Sequence, residues 1–443
     1  MPEAFRILFL GKGGREHALA WRLSQSPIVH AIFIIPGNAA TESLPKTYNA
    51  QMSIDTQDFS LLLQFIREKE INFVIPSQEQ HIAADIASHC SEAGIKFFGP
   101  TQKAAILESS KAFSKNFMTR HTIKTAKFSV FNNLFDAAVF LENQVITHDS
   151  KLVVKASGIT NGKGVLIISS AEEVSLCLDR FKNGEFGPIS DLNPIIVEEY
   201  LKGLEFSVVA LVDGRTCKAF PPLRDYKRRF DQESGPNTGG MGCVCPLPDY
   251  RGPSVSEIVS NFFTPTLEGM IQEGRPMSGI LCIDFIQTYE ALYAIEYDTR
   301  FGDPEIQTLL PLLHEKTDLA ELLFSTTKNL LHNTEIRLLN LTSVAVVVVA
   351  EEYPATNVCE PPEPREITLH QPISDVKLFH SSTILRNGKL ATYGGRVLTV
   401  VATDVSRSAA IKRVYKAISK IEFDGRDFRS DIGASLLYPP WET

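Results

Sequence analysis

Between Ala291 and Leu310 the chain reads ALYAIEYDTRFGDPEIQTLL, and its chemistry concentrates in Glu296 and Asp298 at the end of an apolar run. Side chains two apart on a strand leave from the same face, so the two carboxylates converge. Twelve positions before Glu296 a second apolar run, GILCIDF, carries Asp284. The intervening QTYEA has the length and polarity of a hairpin loop, which would set Asp284 beside the pair. Three carboxylates at one strand end repel one another unless a hard cation sits among them. Mg²⁺, which takes few protein oxygens together with nucleotide phosphates, meets that need. The alternative is an acidic sheet edge with solvated charges, which the apolar character of both strands disfavours. Arg300 and Asp303 follow at once, and a guanidinium there can neutralise charge that grows on a transferring phosphoryl group.

Three further segments carry chemistry. LVVKASGITNGKGVLIIS ends a strand at Lys155 and places Gly158, Gly162 and Gly164 in a loop with Lys163 at its tip. Glycines let backbone N–H groups approach phosphate oxygens, and two lysines add charge. The loop joins two strands and is not a P-loop, and a plain hairpin is the competing reading. In PIIVEEYLKGLEFSVVALVDG, the stretch Glu198, Glu199, Tyr200 and Leu201 offers a backbone edge to a base, and Glu205 a carboxylate to ribose hydroxyls; a solvated acidic turn is the alternative. PPLRDYKRRFDQESGPNTGGMGCVCP reads as a long polar loop holding Asp225 and then Asn237, Thr238, Gly239 and Gly240. Loops of this length without secondary structure are usually functional, so this one is expected to meet substrate.

The elements that must position these groups are legible as rhythm. The first hundred residues alternate apolar runs with helical patterns, which predicts a doubly wound parallel sheet. Its first loop, GKGGREHA, fails as a dinucleotide fingerprint, because Glu16 replaces the third glycine and the second strand ends at Pro36, Gly37 and Asn38 without an acid. That loop can still hold a phosphate on backbone N–H groups. KAAILESSKAFSKNFMTRHT reads as helical and leads into a second α/β region. From about Asn329, two apolar strands and the amphipathic helix SAAIKRVYKAISKI form a small α+β cap with nothing obviously catalytic in it. The expected domains are 1–102, 103–328 with a lid at about 124–196, and 329–443.

Composition excludes several classes. With 443 residues, 44 Lys plus Arg against 52 Asp plus Glu and a net charge of -8, the chain has no polybasic stripe, so nucleic acid and anionic membrane are not expected partners. SVAVVVVA is too short to span a bilayer, and no hydrophobic leader precedes Gly11, so a cytoplasmic location is expected. Seven scattered cysteines lack paired spacing, which argues against disulfides and zinc.

Taken in order, GKGGREHALAW, PGNAAT, SSKAFSK, KASGITNGKGV, VEEYLKGLEFSV, GPNTGGMG, TRFGDPEIQTLLPLL, YGGRVLTV and FDGRDFRSDIG resemble the ATP-grasp ligases, and within them the phosphoribosylamine–glycine ligase family. The resemblance implies a central ATP-grasp fold with a mobile lid. It implies ATP with Mg²⁺ or Mn²⁺ as cofactors, glycine and 5-phosphoribosylamine as substrates, and a monomer or weak homo-oligomer. Carried over by position, Lys111 and Lys155 are the nucleotide-phosphate lysines, residues 157–164 the phosphate-covering lid, Glu198 to Leu201 the adenine hinge and Glu205 the ribose carboxylate. Glu296 and Asp298 are the metal ligands, with Asp284 where the wider group keeps a first carboxylate. Arg300, Asp303, Lys155 and Asp225 are the catalytic candidates. Gly13, Gly14 and Arg15 are expected against the 5-phosphate, with Asn38 and Glu79 lining that pocket. The chain departs from the family pattern at Asp298, Asp284, Ser157, Arg224 and Tyr226, and keeps only Glu79 of a GPEAP core. A ligase for another amine or acid, and a degenerate nucleotide-binding homologue, are the competing functional readings.

Overall fold

The computed structural model describes residues 4–146, 150–158, 160, 164–354, 363–370 and 373–434. The N-terminal alternation becomes a parallel sheet in the order Thr47–Asn49, Val29–Pro36, Phe5–Gly11, Phe73–Pro76 and Lys96–Phe97. Phe5–Gly11 is the central strand, and Ile7 to Leu10 are fully buried, as a strand covered on both faces requires. Thr47–Asn49 has no apolar run to announce it.

Two antiparallel sheets make up the central region. One runs Cys217–Ala219, Leu204–Asp213, Ser278–Gln287, Leu292–Asp298. The other runs Phe128–Phe131, Ile195–Glu199, Leu152–Ala156, Val165–Ile168, and the helices Leu134–Glu142 and Ala171–Lys182 pack with it around Leu141, Val154, Val197 and Phe181. This second sheet therefore owns its core. By contrast, one continuous core joins Phe9 and Leu19 to Ile280 and Leu309 and on to Ala345 and Val401, which ties the N-terminal sheet, the first central sheet and the C-terminal part together.

The C-terminal sheet is built on Thr342–Ala350, whose residues from Ser343 to Val349 are all inaccessible to solvent. It pairs with Arg396–Asp404, which pairs in turn with Lys377–His380. Its other neighbour is Gly242–Cys245, followed by Arg224–Asp225. The polar stretch read as a structureless loop is thus corrected: it supplies these two strands and the hairpin Arg228–Phe230 with Ser234–Asn237. Its apolar GCVC end finds a buried ladder, so its charge density marks the exposed turns between strands.

The segment read as one helix also breaks. Ser110 is extended, at φ −136° and ψ 100°, and its side chain accepts from the Phe113 N–H to cap a new helix, Lys111–Arg120. Serine at a cap satisfies an N–H that would otherwise be orphaned. The break sets Lys111 at the first position of a helix, with Lys115 one turn on and on the same face.

Candidate active site

Register gathers the acids. Asp284 stands opposite Ser207 on one side and Glu296 on the other, and Cys282 stands opposite Asp298. Ser207 Oγ donates to Asp284 Oδ1 at 2.6 Å, and Lys227 Nζ donates to Asp284 Oδ2 at 2.5 Å. The same ammonium lies 3.1 Å from Glu205 and 3.9 Å from Glu296. Among the described residues, the potential ligand atoms of Cys282, Asp284 and Asp298 fall within 4.8 Å of one another. Glu296 leans towards Lys111, at 3.7 Å.

The three carboxylates are set apart in their titration. Burial pushes Asp298 up to about 7, with Glu108 and Glu296 adding to the rise against the pull of Arg300. Burial also raises Asp284, against Lys227. Glu296 goes the other way: burial opposes its ionisation, but Lys111, Lys227, Lys155 and Lys115 together hold it at about 2. The strand end therefore gathers three carboxylates beside the lysines that face them, and their hard oxygens suit Mg²⁺-type ions. Burial and the neighbouring acids raise the Cys282 thiol far above its ordinary range, so it brings no thiolate to the set.

Beside the acids lies a small cleft, lined among others by Glu108, Lys111, Lys115, Lys155, Glu198 and Glu296. Lys155 reaches it from the end of Leu152–Ala156, across the hairpin expected there. Gly158 N–H donates to Asn193 Oδ1 and Gly164 N–H to Thr160 Oγ1, while Gly162 and Lys163 lie outside the described residues. Glu198 does not face solvent: its carboxylate sits 3.0 Å from Lys115 and 3.1 Å from Lys155. The strand ends at Glu199, which accepts from the Lys127 N–H, so Tyr200 and Leu201 lie beyond the sheet.

Arg300 gathers a second set of acids: Asp298 at 3.0 Å, Glu108 at 3.2 Å and Glu79 at 3.9 Å. Glu79 therefore faces the central region from the start of the short helix Glu79–Ala83. Asp303 is a junction of three parts of the chain. It accepts from the Arg15 N–H and from Gln307 Nε2, and Arg396 Nη1 lies 3.2 Å from its carboxylate. Arg396 also donates to the carbonyls of Asp303 at 2.6 Å and Gly239 at 2.5 Å, and Tyr353 Oη accepts from the Gly239 N–H. The C-terminal part, read as chemically silent, thus holds the Gly239 turn. Thr238 Oγ1 accepts from the Gly240 N–H and donates to the Lys227 carbonyl. Gly240 has φ +108°, and a side chain there would stand 2.5 Å from Pro304 and 2.8 Å from Asp225 Oδ1. Asp225 Oδ1 is buried without a hydrogen-bond partner in the protein, and burial raises its carboxyl well above the usual range. Asn237 closes the short hairpin opposite Arg228.

At the first helix, Gly14–Leu23, the open N-terminus expected for a phosphate is occupied. Glu16 Oε2 accepts from the Gly13 N–H at 2.5 Å, and Glu16 Oε1 pairs with Arg15 Nε at 3.0 Å. Arg15 Nη1 donates onward to the Phe301 carbonyl. A carboxylate thus already sits at this helix end. Asn38 is saturated as well, donating to the carbonyls of Lys12 and His380 and accepting from the N–H groups of Ala40 and Thr41.

Sequence reading missed Glu108, Lys115, Ser207 and Arg396 as contacts of the site. Lys115 was detectable as the i+4 partner of Lys111. Arg396, more than ninety residues from Asp303, carried no local signal.

A sheet bearing metal-type carboxylates, faced by a lysine-bearing antiparallel sheet with its own core, defines the ATP-grasp class. Comparison agrees, and narrows it. Models described as phosphoribosylglycinamide synthetase N domain, ATP-grasp (A) domain and C domain match residues 5–108, 109–306 and 343–435. The phosphoribosylamine–glycine ligase of Brucella melitensis is 36% identical over 428 residues, covering 97% of each chain. The bifunctional purine biosynthetic protein of Schizosaccharomyces pombe is 38% identical over 100% of this chain, and the human trifunctional purine biosynthetic protein adenosine-3 is 39% identical over 97% of it. Of those two longer relatives the chain spans only 55% and 42%. A crystal structure of the Thermotoga maritima phosphoribosylamine–glycine ligase superposes with a TM-score of 0.80 at 29% identity, covering 96% of this chain and 99% of that one. The chain belongs to the phosphoribosylamine–glycine ligase family. A biotin carboxylase domain from Hydrogenobacter thermophilus, at 16% identity and a TM-score of 0.69 over 96% of this chain and 92% of that one, shares the fold. Among the described residues no helix is long and apolar enough to cross a membrane.

Proposed function

We propose that this chain joins glycine to 5-phosphoribosylamine at the expense of ATP, releasing glycinamide ribonucleotide, ADP and phosphate in purine biosynthesis. The observation that carries the reading is the arrangement of Lys111, Lys155 and Glu296 around one cleft in a chain that matches the family along its whole length. The γ-phosphoryl group passes to an oxygen of glycine's carboxylate; the amine then attacks the acyl carbon, the amide C–N bond forms and phosphate leaves. Lys111 and Lys155 hold the nucleotide phosphates, with Gly158, Gly162, Lys163 and Gly164 covering them. Glu198 to Leu201 line the adenine and Glu205 the ribose. Mg²⁺ or Mn²⁺, held by Asp284, Asp298 and Glu296, would supply charge neutralisation at the phosphates. Arg300 offsets charge on the transferring group, and Asp303, with Arg396 behind it, fixes the turn at Asn237, Thr238, Gly239 and Gly240 where the acceptor substrate meets Asp225. Gly13, Gly14 and Arg15 face the 5-phosphate of the amine substrate, with Asn38 and Glu79 lining that pocket.

On this reading 1–102 serves the amine substrate, 103–328 the nucleotide and 329–443 the closure of the acceptor loop, in a cytoplasmic enzyme that acts on small molecules. ADP release from ATP is the test, with glycine and freshly generated phosphoribosylamine each omitted in turn. Sustained release is expected only with both present; release indifferent to either one overturns the assignment.

A further inference from the structure

Lys115 is among the most buried charges in the protein, with its side chain 2% exposed, and the family resemblance assigns it no role. Its ammonium donates to Thr125 Oγ1 at 2.8 Å and lies 3.0 Å from Glu198 Oε2. Thr125 Oγ1 in turn donates to the carbonyl of Ala294, on the strand that carries Glu296 and Asp298. Glu198 is 3% exposed and sits on Ile195–Glu199, inside the sheet that holds Lys155. Lys155 Nζ lies 3.1 Å from both Glu198 oxygens. One buried carboxylate is therefore shared by two lysines, one rooted in the helix Lys111–Arg120 and one in the lid sheet. A buried carboxylate stripped of its counter-charge is strongly disfavoured, so Glu198 holds whatever cation remains to it.

We infer that Lys115 is a positioning residue that supplies Glu198 with a standing counter-charge, so that Lys155 is free to leave Glu198 for the phosphates of a bound nucleotide. This inference rests on the nucleotide reading above. Without Lys115, Lys155 becomes the sole partner of Glu198 and is withheld from the ligand. The defect should then follow the phosphates and not the base, because adenosine makes no demand on Lys155. It should also disappear when Glu198 loses its charge, since the uncharged amide no longer competes for Lys155.

The experiment measures equilibrium binding of ATP and of adenosine, with Mg²⁺ present, to the full chain and to Lys115→Met, Glu198→Gln and the double variant. Lys115→Met should weaken ATP between about tenfold and a hundredfold, the range expected for a lost charge-assisted hydrogen bond, and leave adenosine within about twofold. The double variant should bind ATP within about threefold of Glu198→Gln alone, on the same scale of contact energies. A double variant as weak as Lys115→Met would mean that Lys115 touches the nucleotide itself, and equal losses for ATP and adenosine would mean that it merely supports the fold. Either result overturns the inference, as does unchanged ATP binding. If Lys115→Met does not fold, Lys115→Arg against Lys115→Gln makes the same comparison, the arginine retaining ATP affinity and the glutamine losing it. Failure of the unaltered chain to bind ATP would strike the functional reading, and is distinguishable from all of these.

Discussion

At the scale of single residues, the site is a set of charges that balance one another in groups larger than pairs. Arg300 answers Asp298, Glu108 and Glu79 together, and burial leaves none of them well solvated. Removing it does more than delete one cation. Arg300→Ala should lower kcat about a hundredfold with the KM for ATP nearly kept, as expected for a contact that strengthens in the transition state. It should also cost about 2 to 3 kcal/mol of stability, because three acids lose their common partner. Asp298→Asn in the same chain should recover part of the stability and none of the rate. Steady-state ADP release and urea unfolding measure the two effects, and a weakened ATP KM with normal kcat would place Arg300 elsewhere. Asp298 and Glu296 were legible from the strand period alone, as was the hairpin that brings Asp284 to them. Their sorting was not: it depends on which lysines arrive from other elements, and those lysines are set by tertiary packing.

At the scale of elements, regular runs were readable and their interruptions were not. The parallel sheet follows from the alternation of apolar and helical segments, and the Lys155 hairpin from the glycines that follow it. The helix break at Ser110 and the strands within 224–245 were hidden because a serine cap and a short buried ladder look like polarity noise in one dimension. The break matters because the second central sheet docks on it. The Lys111 N–H donates to the Ser157 carbonyl and the Ala112 N–H to Ser157 Oγ, both at 3.0 Å, so the end of the strand Leu152–Ala156 seals the start of the helix. Ser157 is fully buried where the family pattern has aspartate. Ser157→Ala should cost about 1 kcal/mol locally, read as amide exchange at Ala112 faster by about fivefold. Ser157→Asp should restore protection, since a carboxylate at a helix N-terminus is favoured by the backbone dipoles. Exchange unchanged in both variants would show that the hydroxyl carries no part of the docking.

At the scale of the whole molecule, the N-terminal and C-terminal parts meet over two buried histidines that no local pattern pairs. The His380 N–H donates to His17 Nδ1 at 2.9 Å, the rings lie 5.7 Å apart, and Asn38 ties down the His380 carbonyl. Because Nδ1 accepts, His17 is neutral here. Burial, with His380 adding repulsion, lowers its pKa to about 3, and burial lowers His380 to about 4. Both folded values lie below the unfolded value near 6.5, so between pH 6.5 and about 4 the unfolded chain binds more protons than the folded one. Stability is therefore unaffected by these groups above neutrality and falls as pH drops through that window, by up to about 1.4 kcal/mol per pH unit for each histidine. His17→Gln offers an amide oxygen to the same N–H and cannot take a proton. Urea unfolding at pH 7 and pH 5 should show the variant within about 1 kcal/mol of the parent at pH 7, as for one exchanged neutral hydrogen bond, and less sensitive to acid at pH 5. Since the lost interface would free Asp303 and the Gly239 turn from Arg396, ADP release by the parent should fall in step with that unfolding below pH 6, and the variant should hold its rate to lower pH. Parallel losses in both proteins would assign the acid sensitivity to groups outside this interface.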